Sequence, residues 1–163
     1  MNLFTSYHSS PLGVLKIQCS DEHLKSVLFT DDEQPAPGED HPILRECSRQ
    51  LDSYFNGTLK AFELPLGQEG TGFQQKVWNL LEAIPFGKTI SYQDLSRQYG
   101  DVKAIRAIAS ANGRNNLSII IPCHRVIGTN RSLTGYAGGL WRKKWLLDHE
   151  AKHHSGVREL NFG

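Results

Sequence analysis

The stretch Ser91-Tyr92-Gln93-Asp94-Leu95-Ser96-Arg97-Gln98-Tyr99-Gly100-Asp101-Val102-Lys103-Ala104-Ile105-Arg106-Ala107-Ile108-Ala109-Ser110-Ala111-Asn112-Gly113 decides how the second half of this chain folds. Ser91 with Asp94 three residues on makes a capping box that opens a helix, and Gly100 stops it. Asp101 caps the next helix, predicted over Val102 to Asn112, which Gly113 ends. Two short helices joined by a tight turn at Gly100-Asp101 make a helix-turn-helix. In the second of them Ile105 and Ile108 face inward, while Ala104, Ala107, Ala109, Ser110 and Ala111 are small. Small side chains let another backbone approach closely, and that backbone is either protein or DNA. Lys103, Arg106 and Arg114 supply positive charge nearby. Tight packing within the lobe is the alternative.

Outward from this unit, Phe73 to Ile84 carries Phe73, Val77, Leu80, Leu81 and Ile84 on one stripe, a helix broken at Pro85-Phe86-Gly87. Downstream, the apolar run Ser118-Ile119-Ile120-Ile121 reads as a buried strand ending at Pro122, and a last helix runs from about Gly139 to His149. The first third alternates: Leu3 to His8, Gly13 to Cys19 and Leu24 to Phe29 read as three short strands of a meander. Asp31 to Asp40 is an exposed acidic loop. His41 to Phe55 has helical periodicity and ends at Asn56-Gly57. Residues 58–72 read as an extended linker. The expected fold is α+β: a small N-terminal antiparallel sheet lobe with a helix (1–70), then a mainly helical, winged-helix-like lobe carrying the helix-turn-helix (71–163).

At 39% hydrophobic and 21% charged residues the composition is that of a globular chain, and no apolar run approaches a membrane span. The N-terminus lacks the basic start and apolar core of a signal peptide. Three cysteines, Cys19, Cys47 and Cys123, do not make a disulfide framework, so a reducing cytoplasm is the expected compartment. Net charge is +1 but uneven: residues 1–70 hold 5 Lys+Arg against 11 Asp+Glu, and residues 71–163 hold 13 against 6. A basic second half suits an anionic partner, nucleic acid first, with a solvated basic surface as the alternative.

The chemistry centres on Pro122-Cys123-His124-Arg125-Val126. A cysteine just past the end of that buried strand is held by a rigid support, and a histidine beside it is the minimal equipment for a thiolate nucleophile. An inert buried cysteine is the bland alternative. Leu133-Thr134-Gly135-Tyr136-Ala137-Gly138-Gly139, with three glycines around a tyrosine, reads as one wall of a base-sized pocket or as an ordinary connector. Glu150 stands at the expected end of the last helix, where the dipole disfavours a carboxylate, so it needs a partner. His124 is the candidate, its tautomer fixed and its basicity raised by the carboxylate. Cys19, His23, Cys47 and His8 lack paired ligand spacing, and no metal is expected.

These motifs, in this order, resemble the O6-alkylguanine-DNA alkyltransferase family, also called methylated-DNA–protein-cysteine methyltransferases. The match runs through Phe73-Gln74-Gln75-Lys76-Val77-Trp78, Ile90-Ser91-Tyr92-Gln93, Ala104-Ile105-Arg106-Ala107, Ile121 to Val126, the Leu133 to Gly139 loop, and Trp145-Leu146-Leu147 with His149-Glu150. It covers residues 73–150 densely. The resemblance implies direct, single-turnover repair of alkylated DNA after nucleotide flipping, with no cofactor. Cys123 would accept the alkyl group from guanine O6, and thymine O4 stays open as a second substrate. His124, through a water, and Glu150 would activate the thiolate. Tyr92 would help flip the nucleotide and protonate the departing guanine, and Asn115 would brace the active-site turn. Arg106 would fill the gap in the base stack, with Lys103, Ala104, Ala107 and Arg114 on the DNA face, the helix-turn-helix entering the minor groove. Val126, Tyr136, Ala137 and Gly138 would form the base pocket. The expected partner is double-stranded DNA carrying O6-alkylguanine, met by a monomer, with cooperative assembly on DNA left open. Asn116, Arg131 and Trp141 depart from the family pattern, where proline, glycine and a smaller or polar residue are frequent.

Three other functions use parts of the same equipment. A cysteine hydrolase gives no reason for the basic helix-turn-helix. A non-catalytic lesion binder lacks the cysteine. A transcription regulator has no need of Cys123 or Glu150.

Overall fold

The alternating N-terminal segments form β1 (Phe4–Ser10), β2 (Gly13–Cys19) and β3 (Leu24–Thr30) in a computed structural model that describes residues 2–31, 37–130 and 132–155. The strands pair antiparallel in the order β1-β2-β3, with Leu15 opposite His8 and Phe29, and Ile17 opposite Ser6 and Val27. Leu15, Ile17 and Cys19 on the central strand are completely buried. The period-2 pattern puts all three on one face. Helix α1 (Pro42–Phe55) buries Leu44, Cys47, Leu51 and Tyr54, spaced 3, 4 and 3 residues apart as one helical stripe requires. His41 caps it, Nδ1 accepting from the Ile43 N–H at 3.1 Å, and Pro42 takes the first helical position, where no N–H is needed.

The free edge of β3 is covered from two directions. Leu24 donates to Pro65 O at 2.7 Å and accepts from Gly67 at 2.9 Å, while Val27 donates to Asn116 O at 2.8 Å and accepts from Ser118 at 3.0 Å. A covered edge offers no template for pairing with another chain. These bonds explain why residues 116–120 cluster with residues 1–69 as one unit. Residues 70–115 and 121–163 form the other.

In the second unit, Thr71 opens α2 (Gly72–Glu82) with a reciprocal capping box to Gln74. Buried Trp78 donates from Nε1 to Ala111 O at 2.9 Å, satisfying a carbonyl near the end of α4 (Ile105–Gly113). Between them lie β4 (Ile90–Ser91), α3 (Tyr92–Tyr99) and a 3-10 turn, Val102–Ala104. Gly100 ends α3 at φ 103°, a left-handed conformation suited to glycine. A second 3-10 turn, Cys123–Arg125, leads into β5 (Val126–Ile127), which pairs parallel with β4, and α5 (Leu140–Ser155) closes the unit.

Four expectations need correction. Ser118–Ile121 is not a strand: only Leu117 bridges to Val27, and residues 118–120 turn tightly inside the protein. Ile119 there has φ 74°, a strained conformation for a β-branched residue, held by complete burial. The capping box of α3 is half formed, because Ser91 Oγ accepts from the Asp94 N–H but the Asp94 carboxylate turns to Arg97 at 2.9 Å. The second helix of the helix-turn-helix opens as the 3-10 turn, with the Asp101 carboxylate accepting from the Lys103 N–H. The last helix continues to Ser155, so Glu150 lies within it and not at its end.

Candidate active site

Cys123 begins the 3-10 turn and is 6% exposed. Its N–H donates to Ile121 O at 2.8 Å, and Asn115 Nδ2 donates to the same carbonyl at 2.9 Å. Asn115 thus ties the segment preceding the cysteine to the end of α4. Burial pushes the Cys123 thiol upward, while a hydrogen bond from Asn115 and the charge of Lys143 pull it down; burial wins in the unliganded protein.

His124 and Glu150 meet as the residue types suggested, Nε2 to Oε2 at 2.7 Å, with the histidine wholly buried and the carboxylate 1% exposed. The reason differs from the helix-end argument. Glu150 is a buried charge inside α5, and such a group must be paired. Arg125 pairs with it as well, Nε to Oε1 at 2.7 Å and Nη2 to Oε2 at 3.0 Å, and the Gly87 N–H donates to Oε1 at 3.3 Å. Burial alone would raise the Glu150 carboxyl, but His124 and Arg125 outweigh it and hold it well below the usual carboxylate range. His124 moves down, because burial outweighs the raising influence of Glu150. Burial thus works against the expected gain in basicity and favours the neutral ring. With Nε2–H donated to the carboxylate, Nδ1 carries the bare lone pair. It is buried and has no partner among the described residues.

The cavity beside this centre measures about 500 Å³ and is lined by Tyr92, Ala109, Asn112, Thr134, Tyr136 and Ala137, with Gly113 and Gly135. Tyr92 opens α3, and burial raises its phenol above the ordinary value against hydrogen bonds from Thr134 and Asn112. Of the residues named for the pocket wall, Tyr136 and Ala137 line this cavity. Val126 and Gly138 are not among its lining residues. Val126 is completely buried with its carbonyl taken by Lys143 Nζ at 2.7 Å, and Gly138 O accepts from Arg142 at 3.0 Å.

The candidate DNA residues lie on the 3-10 turn, on α4 and, for Arg114, just past its end. Lys103, Arg106, Ala107 and Arg114 are exposed, and Ala104 is half-buried. Ile108 is buried and Ile105 only partly so.

Sequence reasoning missed three residues of the centre. Arg125 completes the pairing of Glu150. Lys143 is fully buried, and Nζ donates to Val126 O and Thr134 O, both at 2.7 Å, stapling the glycine-rich loop to the strand after the cysteine. Asn112 touches both Tyr92 and the cysteine carbonyl. Arg125 stood inside the quoted pentapeptide, but a charged residue beside two reactive ones reads as surface. Lys143 sits among Arg142 and Lys144, and nothing in that run says which one turns inward.

Of the departures from the family pattern, the Asn116 N–H donates to Gln68 Oε1 at 2.9 Å, a bond proline has no hydrogen to make. Trp141 is 58% exposed, with the Arg142 guanidinium 4.7 Å over its ring. Arg131 lies outside the described residues. Among the described residues, no group of three or more His, Cys, Asp or Glu side chains is placed to hold a metal ion, and no helix is long and apolar enough to cross a membrane.

Comparison with known proteins gives a consistent answer. The family model described as 6-O-methylguanine DNA methyltransferase, DNA binding domain, matches residues 72–152, and the ribonuclease-like domain of the same name matches residues 3–68. The methylated-DNA–protein-cysteine methyltransferase of Methanosarcina acetivorans is 44% identical over 153 residues, 91% of this chain and 98% of that protein. The constitutive one of Bacillus subtilis is 44% identical over 159 residues, covering 92% and 96%. The crystal structure of Mycobacterium tuberculosis O6-methylguanine methyltransferase aligns with a TM-score of 0.85 at 36% identity, covering 96% of this chain and 97% of that one. A structure of OGT from the same organism in complex with DNA aligns at 0.83 and 38% identity, covering 94% of each. On both halves of its length, in sequence and in fold, this chain belongs to the 6-O-methylguanine DNA methyltransferase family.

Proposed function

We propose that this protein repairs alkylated DNA directly, moving an alkyl group from guanine O6 to its own Cys123 in a single irreversible turn. The observation that carries the reading is the buried His124–Glu150 pair beside Cys123, with the lone pair of Nδ1 uncommitted. Duplex DNA is the partner, as its relative in complex with DNA suggests. A base inside the duplex is out of reach, so the nucleotide is extruded into the cavity beside Tyr92. Arg106 fills the stack, Lys103 and Arg114 hold phosphates, and the small faces of Ala104 and Ala107 let the helix approach the groove. His124, through a water, takes the Cys123 proton, and Glu150 stabilises the imidazolium. The thiolate attacks the alkyl carbon, the bond to O6 breaks, and Tyr92 protonates the departing guanine. The thioether product is a poor leaving group, so each molecule acts once. The acceptor is the protein itself, and the reaction calls for no cofactor. The protein acts as a monomer, and its three free thiols suit a reducing cytoplasm.

The test is to weigh the protein after incubation with a duplex carrying O6-methylguanine. One methyl mass on Cys123 is expected, none on Cys19 or Cys47, and none with Cys123→Ser, which should still bind the duplex. Methyl on another residue, or more than one turnover per molecule, overturns the reading.

A further inference from the structure

Asn112 lines the cavity, is 3% exposed, and stands between the two groups that the transfer uses. Its Nδ2 lies 3.4 Å from Tyr92 Oη and 3.4 Å from Cys123 O. The cysteine carbonyl is only an acceptor, so the NH2 end of the amide must face it. That fixes the amide's orientation and leaves Tyr92 Oη accepting from the same nitrogen. The phenol proton is then turned away from Asn112. The price is visible: Asn112 Oδ1 is buried with no hydrogen-bond partner among the described residues. Buried polar atoms are rarely left unmatched, and one that is calls for a reason.

We propose that Asn112 is a positioning residue for proton delivery: its amide holds Tyr92 Oη and the Cys123 carbonyl together, aims the phenol O–H into the cavity, and stabilises the phenolate left when that proton departs. The inference rests on the function proposed above and assigns the control of its acid. In the step concerned, the Cys123 sulfur donates an electron pair to the alkyl carbon. The carbon–O6 bond breaks toward oxygen, and the Tyr92 proton neutralises the purine anion. The phenolate is held by the Asn112 N–H and then takes a proton from solvent. An N–H donor stabilises phenolate more than phenol, so its influence is felt as the proton leaves and not when the substrate binds.

The experiment is a double-mutant cycle on single-turnover transfer rates, with free O6-benzylguanine and with an O6-methylguanine duplex. Asn112→Leu keeps the branched outline of the side chain and removes the donor. It is expected to slow transfer about tenfold on both substrates, the factor that one hydrogen bond of ordinary net strength carries. Affinity for the lesion duplex should change less than about twofold, since the donor's gain comes in the transition state. In a Tyr92→Phe background the same substitution should have no further effect. An equal slowing in both backgrounds, or no slowing in the Tyr92 protein, overturns the proposal. Asn112→Ala carries the same test should the leucine variant fail to fold. Failure of the cycle while wild type still places one methyl on Cys123 rejects this inference alone; absence of transfer by wild type rejects the function beneath it.

Discussion

Lys143 is the residue whose chemistry most repays measurement. Its ammonium is fully buried and satisfied by two backbone carbonyls, with no ion pair to a carboxylate among the described residues. Burial pushes its pKa down from 10.5 to about 8. Between those values the unfolded chain binds a proton that the folded chain does not, so stability rises with pH across that window and the penalty is present in full below it. The difference corresponds to roughly 3 kcal/mol at most, offset in part by the two hydrogen bonds. Denaturant unfolding from pH 7 to 10.5 should show wild type gaining stability relative to Lys143→Met as pH rises, and parallel curves would refute the assignment. Because the Lys143 charge also lowers the Cys123 thiol, the same substitution should move the pH profile of Cys123 alkylation to higher pH. Cys123, His124 and Glu150 were legible as residue types. The lysine was not, since a basic run in sequence looks the same whether a member points inward or outward.

At the scale of elements, the DNA face proposed on α4 and the 3-10 turn before it divides its work between neighbouring side chains. Arg106→Ala should slow repair in duplex DNA much more than transfer from free O6-benzylguanine, which needs no extrusion; unstacking a base costs a few kcal/mol, and only the duplex reaction bears it. Lys103→Ala should instead weaken duplex binding and flatten its salt dependence, with little change in the transfer rate once bound. Single-turnover kinetics on both substrates with both variants checks this. Equal losses for Arg106→Ala on duplex and free base would make it a residue of the fold or pocket. The helices themselves were legible because their stops are local: Gly100 at φ 103° and the Asp101 cap need no tertiary help. The end of α5 was not, because His149-Glu150 resembles a frayed end until burial and pairing carry the helix on to Ser155. The Ser118–Ile121 run misled for a related reason. Apolar continuity signals burial, and burial was right, but Ile119 is held in a turn that its own propensity disfavours.

For the whole molecule the uneven charge sets the expectation. With 13 basic against 6 acidic side chains in residues 71–163, affinity for undamaged duplex should fall steeply with salt. The logarithmic slope should be about −0.9 for each phosphate held, so Lys103 and Arg114 together would give roughly −2. Titrations of Cys123→Ser with duplex from low to moderate salt measure it, and a slope near zero would deny phosphate contacts a part in binding. Sequence by itself determined the α+β class, the three-strand meander, the order of the helices and the helix-turn-helix, and it named Cys123, His124 and Glu150 as the residues of the proposed transfer. Those follow from period, caps and residue chemistry, which act over a few positions or are stamped into a motif. Tertiary structure alone decided that Glu150 is shared with Arg125, that Lys143 staples the pocket loop, that Asn112 joins Tyr92 to the cysteine, and that residues 116–120 close the edge of β3. Each joins groups distant along the chain, and each answers a demand of buried charge, buried polar groups or an open backbone edge that arises only once the chain has folded around it.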